Sequence, residues 1–290
     1  MKYDFNTNRM KGKVQVNIDK WLSPTDNPIK IHRISGKLSP TGITQACFVG
    51  EGAEDIKTDD IILISKVAYE VATTPFANYK IERVRYFDLP AEQILGIFSN
   101  TITLETLKMR GKNVLFKRIE KKKDSPLLIE EKNTMLGEIL KVGKNSSLKA
   151  GDIIAVGDNV STPIELGGAP YFAVEEKFVV GRVKENLSME NMEILNEYIL
   201  MKPYIPDKAL NSTILETSGI DYNYLDYSDI NNRNLFKVAY ADKSLGNIKK
   251  NDIILLDRNY TNYMYYENEK YFVINDKKWI SGKIIERDKQ

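Results

Sequence analysis

His32 is the only histidine and Cys47 the only cysteine of this 290-residue chain, so a thiolate–imidazole nucleophile pair has one way to form. The two stand fifteen residues apart, on segments that read as successive strands of one module. Their surroundings point elsewhere. Cys47 is followed by Phe48 and Val49, as in a strand facing a core, and His32 aligns with Lys117 and Lys202 in two sister segments. A position filled elsewhere by lysine needs no imidazole, so the pair reads as structural. A second candidate is the stretch Asp221-Tyr222-Asn223-Tyr224-Leu225-Asp226-Tyr227-Ser228-Asp229. Its oxygens would suit calcium, but the dense Asp-x-Asp-x-Asp-Gly order is missing. It reads instead as a contact loop in which Tyr222, Tyr224 and Tyr227 offer area and a hydroxyl to a partner. A third group is Tyr260, Tyr263, Tyr265, Tyr266 and Tyr271. The alternation of Tyr263 and Tyr265 sets both on one face of a hairpin; stacking on sugars or bases is the other use of such a face. No phosphate-cradling glycine loop, metal-ligand set or pair of catalytic carboxylates stands out. The reading therefore expects no enzyme and names no catalytic residue, metal or cofactor.

The elements that must position these residues repeat. One phrase, a basic turn followed by Asp-Ile-Ile and a further apolar pair, occurs three times: Ile56 to Ile64, Leu148 to Val156, and Ile248 to Leu256. Each copy is followed by a Tyr-Phe pair (Tyr86-Phe87, Tyr171-Phe172, Tyr271-Phe272) and then by a glycine between apolar residues, Gly96, Gly181 and Gly282. The interval from the motif aspartate to the tyrosine is 26 residues in the first copy and 19 in the others. Such internal periodicity governs the fold. The motif reads as a tight turn feeding a buried strand. Asp60, Asp152 and Asp252 can bond turn amides, and the preceding position holds Asp59, Gly151 and Asn251, the residue types that tolerate a left-handed backbone. Opening strands are expected at Ile29–Ile34, Val114–Ile119 and Ile199–Tyr204, spaced by 85 residues. Second strands are expected at Gln45–Gly50, Leu136–Gly143 and Leu235–Tyr240.

Short runs rich in Val, Ile, Tyr and Phe, punctuated by Gly, Asn, Asp and Pro, make the chain mainly β. The expected architecture is an N-terminal arm over 1–26, with a strand at Val14–Ile18, and three small barrels over 27–110, 111–196 and 197–290. Short helices are expected at Thr101–Arg110 and Ser188–Leu195, the latter with Ser188 as N-cap. Variable loops fall at 35–44, 120–134 and 205–234.

Composition narrows the class. The net charge is only +2, so a partner held by phosphate neutralisation is not expected. The basic knot from Lys117 to Lys123 is diluted by neighbouring acids and reads as a solvated loop edge. One cysteine allows no intrachain disulfide. No apolar run approaches the roughly 18–20 residues that span a bilayer, and the N-terminus lacks the apolar core of a secretion signal. Frequent Asn, Lys and Ile fit an AT-rich genome, such as that of some bacteria or their phages.

The second module resembles a known family. Val114-Leu115-Phe116-Lys117-Arg118, a loop with Leu127-Leu128-Ile129, Gly137-Glu138-Ile139-Leu140-Lys141-Val142-Gly143 and Lys149-Ala150-Gly151-Asp152-Ile153-Ile154 look like the GroES-like, or ten-kilodalton co-chaperonin, family. The likeness is clearest in residues 112–183, and module three carries a weaker form with Ile214-Leu215 in place of the triplet. The resemblance implies three tandem GroES-like barrels, with loops whose apolar residues (Leu127, Leu128, Ile129, Ile214, Leu215) would dock on a chaperonin. Two features depart from a chaperonin lid. Only Lys144 to Ser147 separate Gly143 from Leu148, leaving no room for a roof hairpin, and three barrels per chain do not tile a sevenfold ring.

The function expected from sequence is accordingly a non-enzymatic structural protein, a tailed-phage virion component such as a connector, tail ring or capsid-associated protein. Its expected partners are copies of itself and other proteins of a large symmetric assembly, in the virion or the cytoplasm of the bacterial host. The alternatives are a divergent co-chaperonin and a surface-binding module that uses the tyrosine-rich loops. No membrane partner is expected.

Overall fold

The computed structural model describes residues 10–18, 22, 33–34, 37–38, 42–53, 55–72, 74, 78–81, 84–119, 135–157, 160–183, 188–204, 213–216, 234–256, 263–266 and 269–286. The first part of the chain forms β1 (Lys13–Asn17), β2 (Arg33–Ile34), β3 (Lys37–Leu38), β4 (Ile43–Val49), β5 (Ile61–Ile64) and helix α1 (Lys66–Ala72). It continues with β6 (Tyr79–Ile81), β7 (Val84–Pro90), β8 (Ile94–Phe98) and β9 (Leu107–Met109). Next come β10 (Asn113–Arg118), β11 (Met135–Val142), β12 (Ile153–Val156), β13 (Thr162–Leu166), β14 (Ala169–Glu175), β15 (Val179–Val183) and β16 (Met192–Ile194). The last part forms β17 (Ile199–Pro203), β18 (Thr213–Glu216), β19 (Asn234–Ala241), β20 (Ile253–Leu256), β21 (Tyr263–Tyr266), β22 (Glu269–Ile274) and β23 (Ile280–Glu286).

The fold is mainly β, in three antiparallel sheets, none of which closes on itself. The chain divides into two compact units, one of residues 1–121 and 136–178, the other of 122–135 and 179–290. The first unit holds the sheet ordered β6-β7-β1-β4-β5-β8-β9 and the strands ordered β13-β14-β10-β11-β12. The second holds the β15–β16 pair and the sheet ordered β18-β23-β20-β19-β17-β22-β21.

The repeat is expressed in register. β1 pairs with β4 and β7, β10 with β11 and β14, and β17 with β19 and β22. In each case the pairing with the second strand slips by one residue, between Gln15 and Val16, Leu115 and Phe116, and Leu200 and Met201. An extra residue at an equivalent place three times is a built bulge, which raises local twist and bends the sheet. The Asp-Ile-Ile strand is apolar throughout because both of its faces are buried. On β5, Ile62 and Ile64 enter one core with Val14, Val16 and Leu89, while Leu63 enters another with Leu95, Phe98 and Leu115. On β20, Ile254 and Leu256 join Ile199, Met201 and Val238, and Ile253 and Leu255 join Leu235.

Three expectations need correction. The inner strand of the first sheet is β1, within the segment read as an arm; of the expected opening strand Ile29–Ile34, residues 29–32 lie outside the described residues. Arg33 and Ile34 instead pair with Lys37 and Leu38 in a two-residue hairpin. The segment Thr101–Arg110 is a turn followed by β9: Thr103 and Thr106 bond each other and nearby backbone, with Thr106 Oγ1 donating to the Thr101 carbonyl at 2.5 Å. Such local bonds offer the backbone an alternative to helix. At Ser188–Leu195 the helix ends after one 3₁₀ turn, Met189–Asn191, and β16 follows, because pairing with β15 takes its backbone groups. Ser188 does cap that turn, its hydroxyl accepting the Glu190 amide at 3.3 Å.

The one α-helix among the described residues, α1, falls in the interval that is longer in the first copy. Ser65 caps it through the Ala68 amide (3.1 Å), and the Lys66 amide donates to Thr162 Oγ1 at 2.7 Å.

Candidate interaction surfaces

The three motif turns share one geometry. The position before the motif aspartate has φ of 73° at Asp59, 89° at Gly151 and 75° at Asn251. The aspartate carboxylates accept the amides of Lys57 (2.7 Å), Lys149 (2.9 Å) and Lys249 (2.6 Å). Each turn is then clamped to the second strand by a reciprocal backbone pair: Asp59 and Asp60 with Ala46, Gly151 and Asp152 with Ile139, Asn251 and Asp252 with Val238, all at 2.8–2.9 Å. A carboxylate that accepts a turn amide at every copy is a structural device. Lys283 Nζ adds an ion pair to Asp252 at 2.8 Å.

The repeated glycines mark a close approach. Gly96 lies opposite Met109 of β9, and Gly181 opposite Ile194 of β16. A Cβ at Gly96 would stand 2.8 Å from Leu107 Cδ1 and 3.0 Å from the Lys108 carbonyl oxygen. At Gly181 it would stand 2.8 Å from Met192 Cγ and 2.9 Å from the Glu193 carbonyl oxygen. The side chain is missing where the next strand passes.

β9 and β16 also carry the chain onward. Each covers the edge of one sheet and leads within a few residues into the inner strand of the next module, β10 or β17. Arg110, immediately after β9, locks its junction. Its guanidinium forks onto Asp55 (2.7 Å to each oxygen) and donates to the Ala91 and Ile94 carbonyls at 2.5 and 3.1 Å. The hydrogen bond from Arg110 holds the Asp55 carboxyl below the usual carboxylate range, partial burial opposing it. Sequence reasoning missed Arg110, since a lone arginine at the end of a supposed helix carries no signal.

Of the expected aromatics, Tyr263 and Tyr265 share a face of edge strand β21, their rings perpendicular with centroids 5.6 Å apart. Met264 and Tyr266 fill the buried face. Tyr263 is 44% exposed, and Lys270 Nζ sits 4.1 Å from its ring and 5.0 Å from that of Phe272. Lys202 lies over the Tyr271 ring at 5.1 Å and pairs with Glu269, whose carboxyl it holds below the usual range, helped by a bond from the Tyr271 hydroxyl. Such rings pair an apolar body with a polar tip, and the lysines lie over their faces. A smaller apolar patch, Val67 and Val71, is exposed on α1.

The second unit also contains an open cleft of about 800 Å³, lined by Met192, Leu195, Tyr240, Lys243, Ile248 and Lys250 among others. Lys250 Nζ lies 5.1 Å from the Tyr240 ring, and Asp242, on its wall, is occupied in capping the amides of Glu197 and Ser244.

Ile214 and Leu215 lie in β18, antiparallel to β23. Cys47 is half-buried in β4, its thiol 3.8 Å from the Gln45 carbonyl. Leu127, Leu128, Ile129, Tyr222, Tyr224, Tyr227 and His32 lie outside the described residues. Among the described residues no group of His, Cys, Asp and Glu could hold a metal ion, and no helix is long and apolar enough to cross a membrane. Compared with known protein families and with curated proteins, the sequence matches none.

Proposed function

We propose that this chain is a non-enzymatic structural subunit of a large symmetric assembly, built from three tandem GroES-like modules. The setting that fits is a tailed-phage particle, with the chain as a connector, tail ring or capsid-associated protein, found in the virion or in the host cytoplasm before assembly. The observation that carries the reading is the serial hand-over: β9 and β16 each finish one sheet and begin the next module. A chain arranged so presents its modules in series, and the surfaces it leaves for partners are edges and aromatic faces. The barrel relationship itself rests on the residues of module two, and fold likeness alone does not fix function.

The exposed Tyr263–Tyr265 face favours a second use within the same reading, as the contact through which one subunit grips a neighbour. The competing account is a co-chaperonin that docks through Leu127, Leu128 and Ile129, with Ile214 and Leu215. Purified virions probed for this chain separate the two: presence in stoichiometric amount is expected. Chaperonin binding that Leu128→Asp abolishes, in a protein absent from virions, would overturn the structural reading.

A further inference from the structure

In two modules the edge beside the glycine strand is covered by the strand that follows it. β9 pairs with β8 from Gly96↔Met109 to Phe98↔Leu107, and β16 pairs with β15 from Gly181↔Ile194 to Val183↔Met192. The third sheet covers the same edge differently. β18, drawn from the connection between β17 and β19, pairs with β23 from Glu216↔Lys283 to Thr213↔Glu286. Gly282 keeps the register of its counterpart, standing opposite Leu255 as Gly96 stands opposite Leu63. The edge is therefore the same one in all three modules, and only its cover is of different origin.

We propose that β18 is an edge cap, which keeps β23 from pairing with a second copy of this chain. An uncovered edge presents a row of N–H and C=O groups and templates strand addition. β23 reads Ile280-Ser281-Gly282-Lys283-Ile284-Ile285-Glu286, with a single central cation as its only charge before Glu286. The occupants of the sister edges define what it accepts: an antiparallel three-residue strand of apolar–polar–apolar pattern, Leu107-Lys108-Met109 or Met192-Glu193-Ile194. Among the described residues the sister edges are covered by β9 and β16 and by no strand from the earlier connection, so releasing β18 opens the edge and leaves the rest of the module paired. The identity of the partner as a second copy rests on the assembly reading above.

The test uses the full chain carrying Ile214→Pro and Leu215→Pro, since proline has no N–H for the ladder and removes β18 from the edge. Mass is followed by sedimentation velocity across a wide concentration range, with hydrogen exchange at residues 283–286. The expected result is a concentration-dependent rise to about twice the wild-type mass, as for an isologous pair, with those amides protected in the associated form. A peptide spanning residues 212–217, added in trans, returns the mass to that of wild type. Unprotected amides with unchanged mass overturn the proposal, as does an association that the peptide leaves intact, which marks unfolding. A wild-type chain that is monomeric and absent from any particle would sink the assembly reading alone, because the contrast between variant and wild type would stand.

Discussion

The carboxylate of Asp152 accepts the backbone N–H of Lys149 at 2.9 Å, and the same contact recurs between Asp60 and Lys57 and between Asp252 and Lys249. The bond closes a turn whose middle residue, Gly151, has φ of 89°. Asp152→Ala is expected to cost about 1 kcal/mol, the usual worth of one such bond, and Gly151→Ala about 1 kcal/mol, from backbone strain alone because no atom crowds the added methyl. Asn251→Gly is expected to leave stability within about 0.5 kcal/mol, since relief of strain offsets the greater freedom of the unfolded chain. Urea unfolding midpoints check the order. A Gly151→Ala protein as stable as the parent would contradict the account of the turn.

Gly96 and Gly181 make a second prediction. Either glycine changed to alanine drives a methyl into backbone and side chain of the passing strand, at 2.8–3.0 Å. Overpacking of this kind costs about 1–3 kcal/mol. Hydrogen exchange should locate the loss at β9 for Gly96→Ala and at β16 for Gly181→Ala. Uniform loss of protection across the chain would count against a local role.

Arg110 and Asp55 set a pH dependence. The folded Asp55 pKa lies below its ordinary value of 3.8, chiefly because Arg110 bonds it. A carboxyl with a depressed folded pKa adds stability above its unfolded pKa and loses it as pH falls through the folded one. The Asp55 side chain is 59% exposed, so solvent screening limits the gain to less than about 1 kcal/mol. Wild type should exceed Asp55→Asn by that margin at neutral pH and match it well below pH 3.8. Arg110→Ala should cost about 2 kcal/mol at neutral pH and retain most of that cost in acid, because the Ala91 and Ile94 carbonyls lose a charged donor whatever the state of Asp55. Thermal unfolding across pH distinguishes these; equal losses for both variants would contradict the assignment.

The aromatic face of β21 gives a prediction about association rather than stability. Tyr263→Ser with Tyr265→Ser removes two rings from an exposed face while Met264 and Tyr266 still fill the buried side. The unfolding midpoint is expected to move little, and self-association to weaken roughly tenfold or more, as when interface aromatics are truncated. Association unchanged by the pair would remove this face from the interface.

The turns and the second strands were legible because few residue types accept a left-handed backbone, and because Ile62, Ile154 and Ile254 follow an aspartate each time. Loop length hid other features. Equal spacing of 85 residues pointed to Ile29, whereas the equivalent of Val114 and Ile199 is Val14, which pairs with Val49 and Leu89 as they pair with their own partners. The longer first interval signalled an insertion, and Ser65 before Lys66-Val67-Ala68-Tyr69-Glu70 was a readable helix start that the β-rich context obscured. β9 and β16 looked helical because three-residue strands have no periodicity of their own, and only their partners β8 and β15 decide their conformation. The cover of β23 by β18 could not be read at all, since it depends on a pairing between residues about seventy positions apart.

Native mass spectrometry of the purified full chain, with electron microscopy of the same sample, tests the central claim most directly. The account predicts closed rings or stacked arrays of one fixed subunit number, formed without nucleotide and without a chaperonin. Sevenfold rings that bind chaperonin only with ATP would contradict it.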